Sequence, residues 1–174
     1  MLKSELESGF SQYNYSEPDR VASKKTLPIV HAQVKSRSVQ KIEQRLKTNL
    51  QQMTKSRYVN KNESCAVFVC SAGYSQQNKE YWYSINDENI TFLRQFFRCY
   101  TAFAMGSEEQ ILLFQLLQVQ RILGHCLRTE ENAENNKKAH YYFSFEMDSN
   151  GPVFFKQKIP IRELIDVSTH RLEN

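Results

Sequence analysis

Metal-dependent cleavage of a phosphodiester needs carboxylates clustered around Mg2+, usually with a lysine near the scissile phosphate. The restriction-endonuclease core writes this as an Asp or Glu, followed on the next strand by a carboxylate two residues before a lysine. This chain offers Glu80, Asp87, Glu88, Glu146 and Asp148 as carboxylates, with Lys156 and Lys158 as the lysines. The key dyad is missing, because FFKQK puts Lys156 two residues before Lys158. Glu146 facing Lys158 across a final hairpin makes an ordinary cross-strand ion pair. A divergent metal-dependent nuclease is therefore an alternative reading. Mg2+ enters only with it, and otherwise no cofactor is expected.

Nucleophile chemistry has less to work with. Cys65, Cys70, Cys99 and Cys126 all have apolar or aromatic neighbours. No two of them form a CxxC pair, and His31, His125, His140 and His170 lack the spacing of zinc ligands. Buried, reduced thiols are the expectation. The five glycines are isolated, which excludes a glycine-rich phosphate loop, and Ser71 lacks a nucleophile-elbow context.

Binding chemistry is better served. The stretch CAVFVCSAGYSQQNKEYWYSIND, Cys65 to Asp87, joins an apolar run to a polar turn and three consecutive aromatics. Strand alternation puts Tyr81, Tyr83 and Ile85 on one face and Glu80, Trp82 and Ser84 on the other. A platform at Trp82 flanked by Lys79, Arg94 or Arg98 suits an unstacked base. Charge points the same way. Residues 1–60 carry 11 Lys/Arg against 5 Asp/Glu, whereas residues 61–174 carry 12 against 14. A basic segment ahead of a slightly acidic remainder implies an acidic partner, and nucleic acid rewards Lys and Arg through counterion release. Lys41, Arg45, Lys47, Lys55 and Arg57 are the expected phosphate contacts, with Lys79 and Trp82 as recognition residues.

These residues need elements to position them. Residues 1–35 read as a loose basic tail, broken by prolines, with a short extended piece at 27–30. Residues 36–58 read as an amphipathic basic helix. Val39, Ile42, Leu46, Leu50 and Met53 make its stripe, and Ser36 or Ser38 caps it. From about residue 64 to 170 the rhythm becomes that of an α+β domain ordered ββα, ββα, ββ. Its first strand, 65–72, is apolar on both faces and is expected to pair as a hairpin with 80–85. Asn86 or Asp87 opens a helix whose face is Ile90, Leu93, Phe96 and Phe97. A strand at YTAFAM, a strand at ILLF and a helix ending at Gly124 follow. HYYFSFEM and VFFKQKI form the last hairpin around DSNGP. No apolar run reaches the ~20 residues of a membrane span, and the first residues lack a secretory h-region. A cytoplasmic protein without a membrane partner is expected.

VFVCSAGYSQQNKEYWYSINDENITFL, then YTAFAMGSEEQILLF and HYYFSFEMDSNG, resembles a prokaryotic domain family of uncharacterised function associated with restriction and mobile-element proteins. The resemblance covers about residues 65–168. It implies a DNA-linked role and carries no catalytic residues across. The sequence thus points to a nucleic-acid-binding protein, with DNA the expected form. A nuclease and a protein-interaction module with its own protein partner are the alternatives.

Overall fold

The computed structural model describes residues 27–71, 73–75, 80–105, 110–131, 138–147, 153–156, 164–166 and 170–172. The α+β class expected from the sequence is what it shows. Helix α1 runs from Leu27 to Leu46. Strands β1 (Leu50–Gln52), β2 (Arg57–Asn60) and β3 (Cys65–Ser71) follow. Next come β4 (Gly73–Ser75), β5 (Glu80–Asn86) and helix α2 (Asp87–Leu93). Strands β6 (Arg98–Ala104) and β7 (Ile111–Gln115) lead into helix α3 (Leu116–Leu123). The chain continues through β8 (Leu127–Arg128), β9 (His140–Met147), β10 (Val153–Lys156) and β11 (Leu164–Asp166).

The strands form two sheets. The first has the order β1-β2-β3-β6-β7, with β3 and β6 parallel and its other pairs antiparallel. The second has the order β11-β10-β9-β5-β4, with β8 also pairing β9. The final hairpin of β9 with β10 forms as expected. The expected hairpin of 65–72 with 80–85 does not. The short β4 takes that place beside β5, while β3 lies in the other sheet between β2 and β6. An apolar run gives a strand's burial but not its neighbour, because either sheet satisfies it.

Alternation along β3 explains the layering. Cys65, Val67 and Val69 face α1, where they pack with Val39, Ile42, Leu46 and Tyr58. Ala66, Phe68 and Cys70 face the second sheet and join Tyr83 and Ile85 of β5 and Phe143 and Phe145 of β9. Helices α2 and α3 close this larger core with Ile90, Phe92, Leu93, Leu116 and Val119. The aromatic centre is Phe103, whose ring lies 5.0 Å edge-on from Tyr83 and 5.2 Å from Phe143. Each such side chain, fully buried, stabilises the fold by about 1.5–3 kcal/mol.

Several local expectations change. Residues 27–30 are helical rather than extended, since Pro28 sits in the first turn, where its missing N–H is not needed. Ser38 is fully buried inside α1 and caps nothing. The helix ends at Leu46 rather than near residue 58. Lys47 adopts φ 51, and Thr48 donates its N–H to the Glu43 carbonyl at 3.1 Å, the pattern of a Schellman stop. Leu50 and Met53 keep helical spacing but belong to a strand and an exposed turn. Asn86 does cap α2, accepting the Asn89 N–H at 3.0 Å. That helix stops at Leu93, so Phe97 lies beyond it and is exposed. Among the described residues no helix is long and apolar enough to cross a membrane.

Candidate nucleic-acid interface

Helix α1 docks through an apolar face. Ile42 is fully buried and Val39 and Leu46 nearly so, all against the first sheet. A flank of the helix carries Arg37, Lys41 and Arg45 at spacings of four, which sets them along one ridge beside the buried face. Successive cations on such a ridge rise by about 6 Å. Arg37 and Arg45 are exposed and Lys41 is half-buried. Arg37 was not among the residues expected from the sequence, although its spacing of four from Lys41 was there to be read.

The one carboxylate on this helix is engaged elsewhere. The Glu43 Oε1 accepts the Leu50 N–H at 2.6 Å and so pins the turn after α1. Lys47 is exposed at the helix stop, and Lys55 is exposed in the turn between β1 and β2. Beside Lys55, the Lys35 ammonium donates to the Ser56 hydroxyl at 2.9 Å. Burial holds the Lys35 ammonium below its ordinary pKa. A nearby Cys70 thiol opposes that shift and Lys55 adds to it.

Arg57 is held by two contacts. Its Nε donates to the Asn89 side-chain oxygen at 3.0 Å, and its guanidinium lies 5.0 Å from the Phe92 ring centre. It ties β2 to α2, so packing accounts for its presence. Lys79 lies outside the described residues.

Trp82 is half-buried on the face of β5 opposite the core, while Tyr83 and Ile85 point inward and Tyr81 packs at the core's edge. In register, Trp82 sits opposite Gly73 on one side and Ser144 on the other. The core lies between the two sheets, and α1 lies beyond the first. Trp82 and the α1 ridge therefore occupy opposite sides of the stack, with layers about 10 Å apart between them. Arg98 belongs with α1, because its Nη2 donates to the Leu46 carbonyl at 3.3 Å. Arg94 sits on the core side of the first sheet, facing Gln120 of α3 once that amide is oriented to accept its guanidinium. The sequence grouped helix, platform and flanking arginines into one site, and the structure separates them.

The carboxylates expected of a nuclease are also distributed. Asp87 accepts from Arg128 at 2.9 Å, and Glu88 pairs with Lys138. Hydrogen bonding from Lys138 keeps the Glu88 carboxyl below its usual pKa. Glu146 stands opposite Glu80 in the β5–β9 register. Asp148 and Lys158 lie outside the described residues. Among the described residues no three His, Cys, Asp or Glu side chains group as metal ligands. The four cysteines are free, and burial raises each thiol's pKa, that of Cys126 to about 12. A thiol held protonated in this way is a poor nucleophile.

Comparison of the chain with protein families, with curated proteins and with solved structures returns no match.

Proposed function

We propose that this protein binds nucleic acid, with DNA the expected form, through the outward ridge of α1. The observation that carries the reading is the row of Arg37, Lys41 and Arg45 along one flank of a helix whose apolar face is locked into the core. A ridge anchored in this way offers phosphates a fixed row of cations at little cost in ordering. Across residues 27–62 the only acidic side chain is Glu43, and it is held by a backbone N–H. Counterion release gives such a surface salt-dependent affinity for phosphates.

The test is fluorescence anisotropy of labelled oligonucleotides against the full chain over a salt series. The observed affinity should fall linearly on a log–log plot. Each of Lys41→Ala and Arg45→Ala should flatten the slope by about 0.7–0.9 per phosphate contact. Absence of salt-dependent binding to any DNA or RNA, or capture of a protein partner by a chain with no such affinity, overturns the reading. The nuclease alternative draws on the facing Glu80 and Glu146. Mg2+-dependent cutting that is lost in Glu146→Ala would replace simple binding with it.

A further inference from the structure

Phe96 and Phe97 are adjacent and have opposite fates. Phe96 turns inward, its ring 5.2 Å from Phe92, and packs on the core. Phe97 is 95% exposed. The backbone around it is nonetheless fixed. Gln95 and Phe96 donate their N–H groups to Phe92 and Leu93 at 3.2 Å, and Arg98 donates its N–H to Ser64 at 3.0 Å. An ordered loop thus presents a bare aromatic ring.

Cations lie at the same end of the first sheet. The Arg98 side chain reaches the Leu46 carbonyl, so the loop between α2 and β6 abuts the end of α1, where Arg45 and Lys47 are exposed. The turn between β2 and β3, which holds the Arg98 N–H through Ser64, adds exposed Lys61. Three segments therefore converge at this end of the first sheet. They bring Arg45, Lys47, Lys61 and Arg98 against two carboxylates, Glu63 and the Glu43 that holds the Leu50 N–H. The negative end of the α1 dipole is worth about half a charge and is outweighed by these four cations.

We propose that this end of the first sheet binds a single-stranded polynucleotide, with one base stacked on Phe97 and the flanking phosphates on Arg45, Lys47 and Arg98. The inference rests on the nucleic-acid reading above and adds the substrate class. An exposed aromatic ring and cations at one end of a sheet offer a nucleotide both stacking and phosphate contacts. Stacking on a protein ring requires a base released from its neighbours, which a duplex does not offer. The base's identity is left free, since every base has a π-face.

The experiment compares single-stranded DNA, single-stranded RNA and duplex DNA of one sequence, titrated by anisotropy with the full chain. Single strands should bind more tightly than duplex. Phe97→Ala should weaken single-strand binding by on the order of tenfold while leaving the salt slope unchanged, because no charge is lost. Phe97→Trp should keep the affinity and show indole quenching as the base stacks. Lys47→Ala should lower the slope by about 0.7. Phe97 is exposed, so circular dichroism should confirm that its variants fold. If Phe97→Ala binds like the unmodified chain while Lys41→Ala and Arg45→Ala weaken binding, the single-strand site is overturned and the ridge reading stands. If no oligonucleotide binds in a salt-dependent way, both fall.

Discussion

The hydroxyl of Tyr83, on β5 of the second sheet, donates to the carbonyl of Ala104, on β6 of the first, at 2.9 Å within the core. This bond crosses the interface between the sheets beside the edge-on contact of Tyr83 with Phe103. Burial raises the phenol's pKa well above its ordinary value, so it remains a donor at physiological pH.

Tyr83→Phe should therefore destabilise the fold by about 1 kcal/mol, as expected when a buried hydrogen bond is removed and ring packing is kept. Urea unfolding gives the number. An unchanged midpoint would mean that the bond contributes nothing net.

Thr101 has the opposite problem. It is fully buried on β6, and its hydroxyl finds no hydrogen-bond partner among the described residues. Thr101→Val keeps the shape and removes the orphaned oxygen, so stability should rise by about 1 kcal/mol. Thermal unfolding of the variant is the check, and a lowered midpoint would show that the hydroxyl is satisfied.

Lys47 ends α1 at φ 51, a left-handed conformation that costs an L residue about 1 kcal/mol and glycine almost nothing. Lys47→Gly should stabilise the protein by a few tenths of a kcal/mol up to about 1 kcal/mol, after the added freedom of the unfolded chain is subtracted. It should also weaken nucleic-acid binding, because a cation of the proposed site is lost. Denaturation and anisotropy on one sample would therefore move in opposite directions.

Arg57 and Arg45 should separate cleanly. Arg57→Ala removes the bond to Asn89 and the contact over Phe92, and should destabilise by about 1 kcal/mol. Arg45→Ala, on the exposed ridge, should leave stability within about 0.5 kcal/mol. Paired denaturation curves would decide, and equal midpoints would contradict the assignment of Arg57 to packing.

His170 lies with its ring 4.3 Å from that of Phe114, and burial lowers its pKa below the ordinary 6.5. In the window between the lowered folded pKa and 6.5, the unfolded chain binds more protons than the folded one. Stability therefore rises with pH through that window and is flat above it. The urea midpoint should fall as pH drops from 7 toward 5. His170→Phe should remove that part of the slope, and an identical slope in the variant would rule out His170 as its source.

Much of this architecture was legible residue by residue. Alternation in Tyr81–Ile85 announced which side chains share a face, because a strand's period of two is set by its own backbone. Val39, Ile42 and Leu46 announced the docked face of α1 for the same local reason, with the helical period. The Asn86 cap and the stop at Gly124 are likewise local signals. The end of α1 was misread because Leu50 and Met53 happen to continue the stripe, while the Lys47 stop uses a residue with no preference for that conformation. Phe97 was misread because two adjacent phenylalanines look alike until one of them is packed.

The sequence by itself determined the α+β class, the two-sided burial of β3, the placing of Trp82 on the strand face opposite Tyr81 and Tyr83, and the cationic character of residues 1–60. These follow from periodicity and composition, which each segment carries alone. Only the tertiary structure decided that β3 pairs with β2 and β6, that Arg57 serves packing, and that Arg98 reaches the end of α1. It also placed Trp82 and the basic ridge on opposite sides of the molecule. Such relationships depend on which buried faces meet. Hydrophobic burial is non-directional and supplies the drive to meet but not the choice of partner, which register, turn geometry and complementary shape make together.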